Sequence, residues 1–203
     1  MKTKIINRTK SFDFDSYYLY VSDLVENNLC SGEITESHVK ETQINTQRIK
    51  RIYKQLQVLP ALENLIKGVN CNWKWLVLSE SWCGDGSQNL PIIAKLAAIS
   101  NKIKLEILLR DENPEIMNAH LTNGSKAIPK LICINANNDL ELGVWGPRPF
   151  LIQEKVTKIK SENPNISTEE FAKNLHLWYA QDKCLSLQNE LIDLISSWKK
   201  SCE

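Results

Sequence analysis

The segment Leu76-Val77-Leu78-Ser79-Glu80-Ser81-Trp82-Cys83-Gly84-Asp85-Gly86-Ser87-Gln88 decides how the rest of the chain is read. Its apolar lead-in, Trp75 to Leu78, has the length and composition of a buried strand. A polar turn with one cysteine follows. Beyond it Leu90, Ile93, Ala94, Ala97 and Ala98 recur at helical spacing, which predicts a helix over residues 87–100 with Pro91 in its first turn. Cys83 therefore stands where a strand hands over to a helix N-terminus. Unpaired backbone N–H groups and the positive end of the helix dipole favour a thiolate at such a place.

Outward from this turn the chain alternates strands and helices. Ile103 to Leu109 reads as a strand buried on both faces, as in a parallel βαβ unit. Asn113-Pro114 opens a short helix to about Leu121. Thr122 to Lys126 is a loop closed by Ile128-Pro129, and a proline is tolerated there because a strand entrance needs no ladder N–H. Lys130 to Asn135 and Leu140 to Trp145 are two strands joined at Asn137-Asn138-Asp139, a hairpin turn. A helix over 149–161 follows Trp145-Gly146-Pro147-Arg148-Pro149.

Trp82-Cys83-Gly84-Asp85 at a strand-to-helix turn resembles the active-site turn of thioredoxin-family proteins. Ala127-Ile128-Pro129, leading into Leu131 to Ile134, stands where that fold places its cis-proline loop against the active-site cysteine. The resemblance covers roughly residues 70 to 160. It implies an α/β fold, a thioredoxin-like mixed four-stranded sheet flanked by helices, here with extra N-terminal and C-terminal helices. It implies Cys83 as the nucleophile, Trp82, Gly84, Asp85, Gly86 and Ser87 as its turn, and Ile128 and cis-Pro129 as the edge that receives an extended substrate chain. Arg148 has two readings: a groove residue that holds a carboxylate or another anion, or the cap of a surface turn.

Two departures from the family pattern bear on activity. Dithiol members carry a second cysteine at the position held here by Gly86, and many carry a buried acid where this chain has Val77. Glu80 is not an obvious substitute for that acid. Within the turn, Gly84 and Gly86 let backbone N–H groups approach the sulfur, and Ser87 is expected to donate a hydrogen bond to it. Asp85 works in the opposite sense, because a nearby negative charge raises a thiol pKa. Useful reactivity near neutral pH requires a thiol pKa lowered to about 7 or below. Cys133 lies about 13 Å along its strand from Pro129, beyond bridging distance, and reads as a core thiol. Cys71 lies toward the opposite end of the sheet, and Cys30, Cys184 and Cys202 fall in the appended helices.

The expected function is thus thiol redox chemistry. Cys83 forms mixed disulfides with a protein or small-molecule thiol or disulfide, and an external thiol resolves them. This resembles monothiol glutaredoxin chemistry without the Cys-Gly-Phe-Ser turn. The alternative is a non-redox module that binds an extended peptide or protein partner beside Pro129. No cofactor and no metal is expected, since no two cysteines share a Cys-x-x-Cys spacing and the three histidines are dispersed.

The flanking segments are helical. Tyr17, Tyr20, Val21, Leu24 and Val25 form an apolar stripe behind a cap at Asp13 or Asp15. Thr35 caps a second helix, whose cluster Arg48, Lys50, Arg51 and Lys54 reads as a solvated face. Pro60 starts a third helix that Gly68 stops. Ser167-Thr168-Glu169-Glu170 is a capping box, and a last helix starts near Asp182. One domain is expected over 1–203, with a helical extension at 11–69, a core at 70–161 and C-terminal helices at 166–200. A net charge of +1 and 24% charged residues call for neither nucleic acid nor an anionic membrane. Met1 to Lys10 lacks the apolar run of a secretory signal, so a cytoplasmic setting with reduced cysteines is expected.

Overall fold

The alternation of side chains along Trp73–Ser79 (β1) splits the interior into two clusters. Trp73, Trp75 and Val77 point to one face of the sheet, and Leu76 and Leu78 point to the other. The structure, a computed structural model, describes residues 10–201. Most of the polar start expected at residues 1–12, and Cys202, lie outside that range.

The four strands are β1, Ile103–Leu109 (β2), Lys130–Asn135 (β3) and Leu140–Trp145 (β4), in the order β2-β1-β3-β4. β1 and β2 are parallel, with Trp75 opposite Leu105, and β3 runs antiparallel to both β1 and β4. This is the expected mixed four-stranded sheet. Phe12 adds a short bridge to Ile107 at the β2 edge, donating its N–H at 2.9 Å and accepting at 2.7 Å. That bridge gives an otherwise open edge partners.

The larger cluster lies under Phe14–Glu26 (α1), Glu36–Gln55 (α2), Pro60–Lys67 (α3), Gly84–Ala97 (α4) and the last helix. Asp13 caps α1 by accepting from the Ser16 N–H at 2.8 Å, and Thr35 caps α2 by accepting from His38 at 3.1 Å. The smaller cluster lies on the other face under Pro114–Ala119 (α5), through Ile116 and Met117. Cys83 and Ile128 belong to this smaller cluster.

After β4 come Phe150–Glu162 (α6), Thr168–Asp182 (α7) and Leu185–Lys200 (α8). Ser167 caps α7, accepting from Glu170 at 3.1 Å, as its capping box predicts. Leu187, Leu191, Ile195 and Trp198 seat α8 on the main cluster, with the Trp198 ring edge-on to Trp73 and Trp75. Gly143 makes this possible, because a Cβ there would lie 2.2 Å from Trp198 Nε1. α6 and α7 instead share a small cluster of their own, Ile152, Val156, Leu175 and Tyr179. No helix among the described residues is long and apolar enough to cross a membrane.

Two sequence expectations need correction here. α4 begins at Gly84 rather than near residue 87, so Pro91 lies inside the helix and not in its first turn. The helix starts early because Cys83 serves as its N-cap, in the way a serine would. Cys71 is disulfide-bonded, so the cysteines are not all reduced thiols, whereas Cys30, Cys83, Cys133 and Cys184 are free. Scattered spacing along a chain does not report which sulfurs meet in space.

Candidate functional site

Cys83 is buried, with 7% of its surface exposed. Its sulfur accepts from the Gly86 N–H at 3.2 Å and its S–H donates to the Ile128 carbonyl at 3.3 Å. The Ile128-Pro129 peptide is cis, as expected, and so is Gly146-Pro147 beside it. The turn and the proline loop therefore meet as the sequence predicts.

The sequence leaves open whether the helix N-terminus or Asp85 prevails at the sulfur. Burial pushes the Cys83 thiol up to about 12, with the Asp85 carboxylate adding to the rise; the Gly86 N–H and the nearby Arg148 and Arg110 oppose it without prevailing. The resting group is a protonated thiol. Ser87 does not serve the sulfur either: its hydroxyl donates to the Gly84 carbonyl at 2.7 Å.

Gly86 occupies the place of a second cysteine for a packing reason. A Cβ at that position would lie 2.5 Å from Ser79 Oγ and 3.4 Å from Cys83 Sγ. Tyr17 is buried beside the same point, and burial, Glu80 and Cys83 all push its phenol up. The inside of the turn is thus filled by a serine hydroxyl and a tyrosine from the N-terminal extension.

That extension also holds the outside of the turn. Ser81 exchanges hydrogen bonds with Ser31, through Ser81 N–H to Ser31 Oγ at 2.8 Å and Ser31 N–H to Ser81 Oγ at 2.9 Å. Asn45 of α2 donates to the Ser81 carbonyl at 3.0 Å. The Trp82 ring stacks on His38 with centroids 4.4 Å apart, carries the Arg110 guanidinium at 4.9 Å, and donates its Nε1–H to the Ser31 carbonyl at 3.1 Å. Glu80 is buried here, bonded by Ser31 Oγ and by the Asp111 N–H at 2.9 Å, and its burial raises its pKa.

The C-terminal helices close the other side. Arg148 lies in the groove, but the carboxylate it holds is the chain's own: its Nε donates to both oxygens of Asp85 at 3.1 Å and its Nη2 donates to Asp85 as well. Tyr179 of α7 donates to Asp85 at 2.7 Å and accepts from Asn89 at 2.9 Å. His176 of α7 sits 3.0 Å from the Gln88 amide and packs over Gly84. Burial, followed by the cations Arg48 and Arg51, pushes this imidazole down to about 4, so it is neutral.

Between these flanks lies a groove of about 860 Å³ bordered by Trp82, Cys83, Arg110, Ile128, Trp145 and Arg148. Phe150, 64% exposed, lies along it, as do Asp193 and Leu194 of α8. Of the site residues taken from the sequence, Trp82, Cys83, Ile128 and Arg148 border this groove, while Gly86 bonds to Cys83, Asp85 to Arg148, and Ser87 turns back to Gly84. Tyr17, Glu80, His176, Tyr179 and Phe150 were not among them. Tyr17 and Tyr179 show in the sequence only as members of apolar helix stripes, and nothing there places them at Cys83. Among the described residues no three His, Cys, Asp or Glu side chains group as metal ligands.

Comparison with known proteins agrees with this architecture. A search of curated proteins finds no match. Among solved structures, a protein of unknown function from Pseudomonas aeruginosa is similar with a TM-score of 0.59 at 14% identity, over 91% of this chain and 98% of that one. A chain described as an HIV epitope-scaffold is similar with a TM-score of 0.56 at 16% identity, over 86% of this chain and 96% of that one. These likenesses are of fold. A family model described as thioredoxin matches residues 32–170, a span that takes in the α2 cradle, the Cys83 turn, the cis-Pro129 loop and the start of α7, and by that match the chain belongs to the thioredoxin family.

Proposed function

We propose that the protein is a thioredoxin-fold binding module that holds an extended protein segment in the groove beside Pro129, with Cys83 as a protonated thiol on the groove floor. Ile128 carries this reading. It borders the groove, yet its N–H finds no acceptor among the described residues. A main-chain carbonyl of an incoming chain supplies that acceptor, which is how extended peptides add to an open backbone edge. The exposed Phe150 ring and Leu194 offer apolar grip, and Lys126 and Asp193 offer opposite charges on the rim.

Phage-displayed random peptides selected on the full-length protein test this. The selected peptides are expected to bind wild type and Cys83→Ser equally, and to bind Phe150→Asp about ten-fold or more weakly. Peptides that all contain cysteine, and that release from wild type on reduction and do not bind Cys83→Ser, would sink it.

That second outcome defines the other reading, thiol exchange. It is favoured by the position of the Cys83 sulfur on the groove, with the Gly86 N–H directed at it. The deprotonated sulfur attacks one sulfur of a partner disulfide, forms a mixed disulfide and releases the other sulfur as a thiolate. An external thiolate then attacks the partner sulfur of the mixed disulfide, and Cys83 leaves as thiolate and takes a proton from solvent. With the thiol pushed up to about 12, the alkylation rate of Cys83 is expected to climb about ten-fold per pH unit from neutral pH to about pH 11. Site-resolved mass spectrometry reads that slope. A plateau reached near neutral pH would put thiol exchange ahead of binding.

A further inference from the structure

A second cavity, of about 690 Å³, lies away from the Cys83 groove, where the end of α2, the connection to α3, α4 and the α7–α8 junction meet. Its size is that of a small-molecule pocket. Ile52, Leu56, Val58 and Leu59 line its apolar side. The wall is fixed by a buried polar clamp. Gln188 is fully buried, accepts from the Leu59 N–H at 2.8 Å and donates to the carbonyls of Gln57 and Cys184 at 3.3 and 3.2 Å. Lys95 holds the end of α2 by donating to the Tyr53 and Leu56 carbonyls at 3.1 and 2.8 Å. At the junction, Lys183 and Cys184 are consecutive non-glycine residues in the left-handed region, with φ of 50° and 65°. Such a pair persists only where the surrounding structure holds it.

The charged residues that line this cavity are of one sign, and the nearby Asp182 carboxylate is engaged by the N–H and hydroxyl of Ser186. The cavity rim carries Arg51 and Lys183, and no carboxylate lines it. Neither cation forms an ion pair among the described residues. An apolar wall beneath two cations that form no ion pair among the described residues complements a molecule with an aliphatic body and one negative end. The basic cluster that reads in the sequence as a solvated helix face thus contributes Arg51 to a cavity mouth.

We propose that this cavity binds a small amphipathic monocarboxylate, its aliphatic body against Ile52, Leu56, Val58 and Leu59 and its carboxylate between Arg51 and Lys183. The proposal is independent of what the Cys83 groove binds.

Calorimetric titration of the full-length protein with monomeric sodium decanoate tests it. One saturable site is expected, and decanol, which has no carboxylate, is expected to bind about ten-fold more weakly. The double variant Arg51→Gln/Lys183→Gln should lose decanoate affinity by about the same factor, since two rim contacts are removed. Ala180→Trp places an indole at the cavity mouth from an exposed position of α7 and should abolish binding. Circular dichroism of both variants should match wild type. The absence of a saturable site, equal binding of decanol, or unchanged binding by either variant would overturn the proposal.

Discussion

The two flanks of the Cys83 turn are held by different chemistry. On the N-terminal side, Ser31, Thr42 and Asn45 grip Ser81 through hydroxyl and amide groups, and His38 stacks on Trp82. On the C-terminal side, Arg148, just before α6, pairs with Asp85 at the start of α4, and α7 adds a phenol on Asp85 and an imidazole beside Gln88. Neutral hydrogen bonds are each worth about 0.5–1.5 kcal/mol net. Removing one partner of a buried ion pair costs several times more, because the other charge stays buried. The first flank is therefore a sum of small terms, and the second depends on a single carboxylate.

The sharpest way to break that contrast is Asp85→Ala. It strands the largely buried Arg148 guanidinium and leaves the Tyr179 hydroxyl without its acceptor. A loss of about 3–5 kcal/mol is expected in urea denaturation, with the amides of α7 the first to lose exchange protection. On the opposite flank, Ser31→Ala removes the hydroxyl that donates to Glu80 and accepts from the Ser81 N–H. The expected loss is smaller, about 1–3 kcal/mol by the same measurement. A loss from Ser31→Ala as large as that from Asp85→Ala would erase the distinction.

Changing pH separates the flanks by sign. His176 has its pKa lowered to about 4 from an ordinary 6.5. The unfolded chain therefore binds a proton that the folded one refuses, and stability contributed here falls as pH drops from about 6.5 toward 4. Glu80 has its pKa raised by burial. Its contribution is complete below the ordinary carboxylate range and is lost as pH rises through the folded value. Acidification from pH 6.5 to 5 should thus deprotect α7 amides by about 1 kcal/mol or less, given partial solvent screening, and leave the amides near Ser31 as protected or more so. Hydrogen exchange resolved by peptide reads both, and His176→Gln should abolish the first effect.

Much of the fold was legible in particular residues. The apolar runs 103–109, 130–135 and 140–145 became strands at those bounds, and Asp13, Thr35 and Ser167 cap the helices they precede. These signals are local: a strand run or a cap states its structure within a few residues. The Cys83 turn and Ile128-Pro129 were legible as a pair only through a family resemblance. The start of α4 was missed because a cysteine is not read as an N-cap, although its sulfur accepts the Gly86 N–H here. Tyr17, His176 and Tyr179 could not be placed, since each reaches the turn across tens of residues of chain.

By itself, then, the sequence determined the order of strands and helices, the single cysteine at the strand-to-helix turn and the glycine where a partner cysteine would stand. Only the tertiary structure decided what that cysteine is. A helix N-terminus alone argues for a thiolate. The packed groups around it, Ile128 as acceptor, Asp85 as neighbour and the helices that bury it, argue for a thiol pushed up to about 12. Helix position is a local property that the chain states outright, whereas desolvation sums over every group that folding brings near. Those groups include Leu108 of β2, Ile116 and Met117 of α5, Ile128 of the proline loop and Tyr17 of α1, all outside the turn itself.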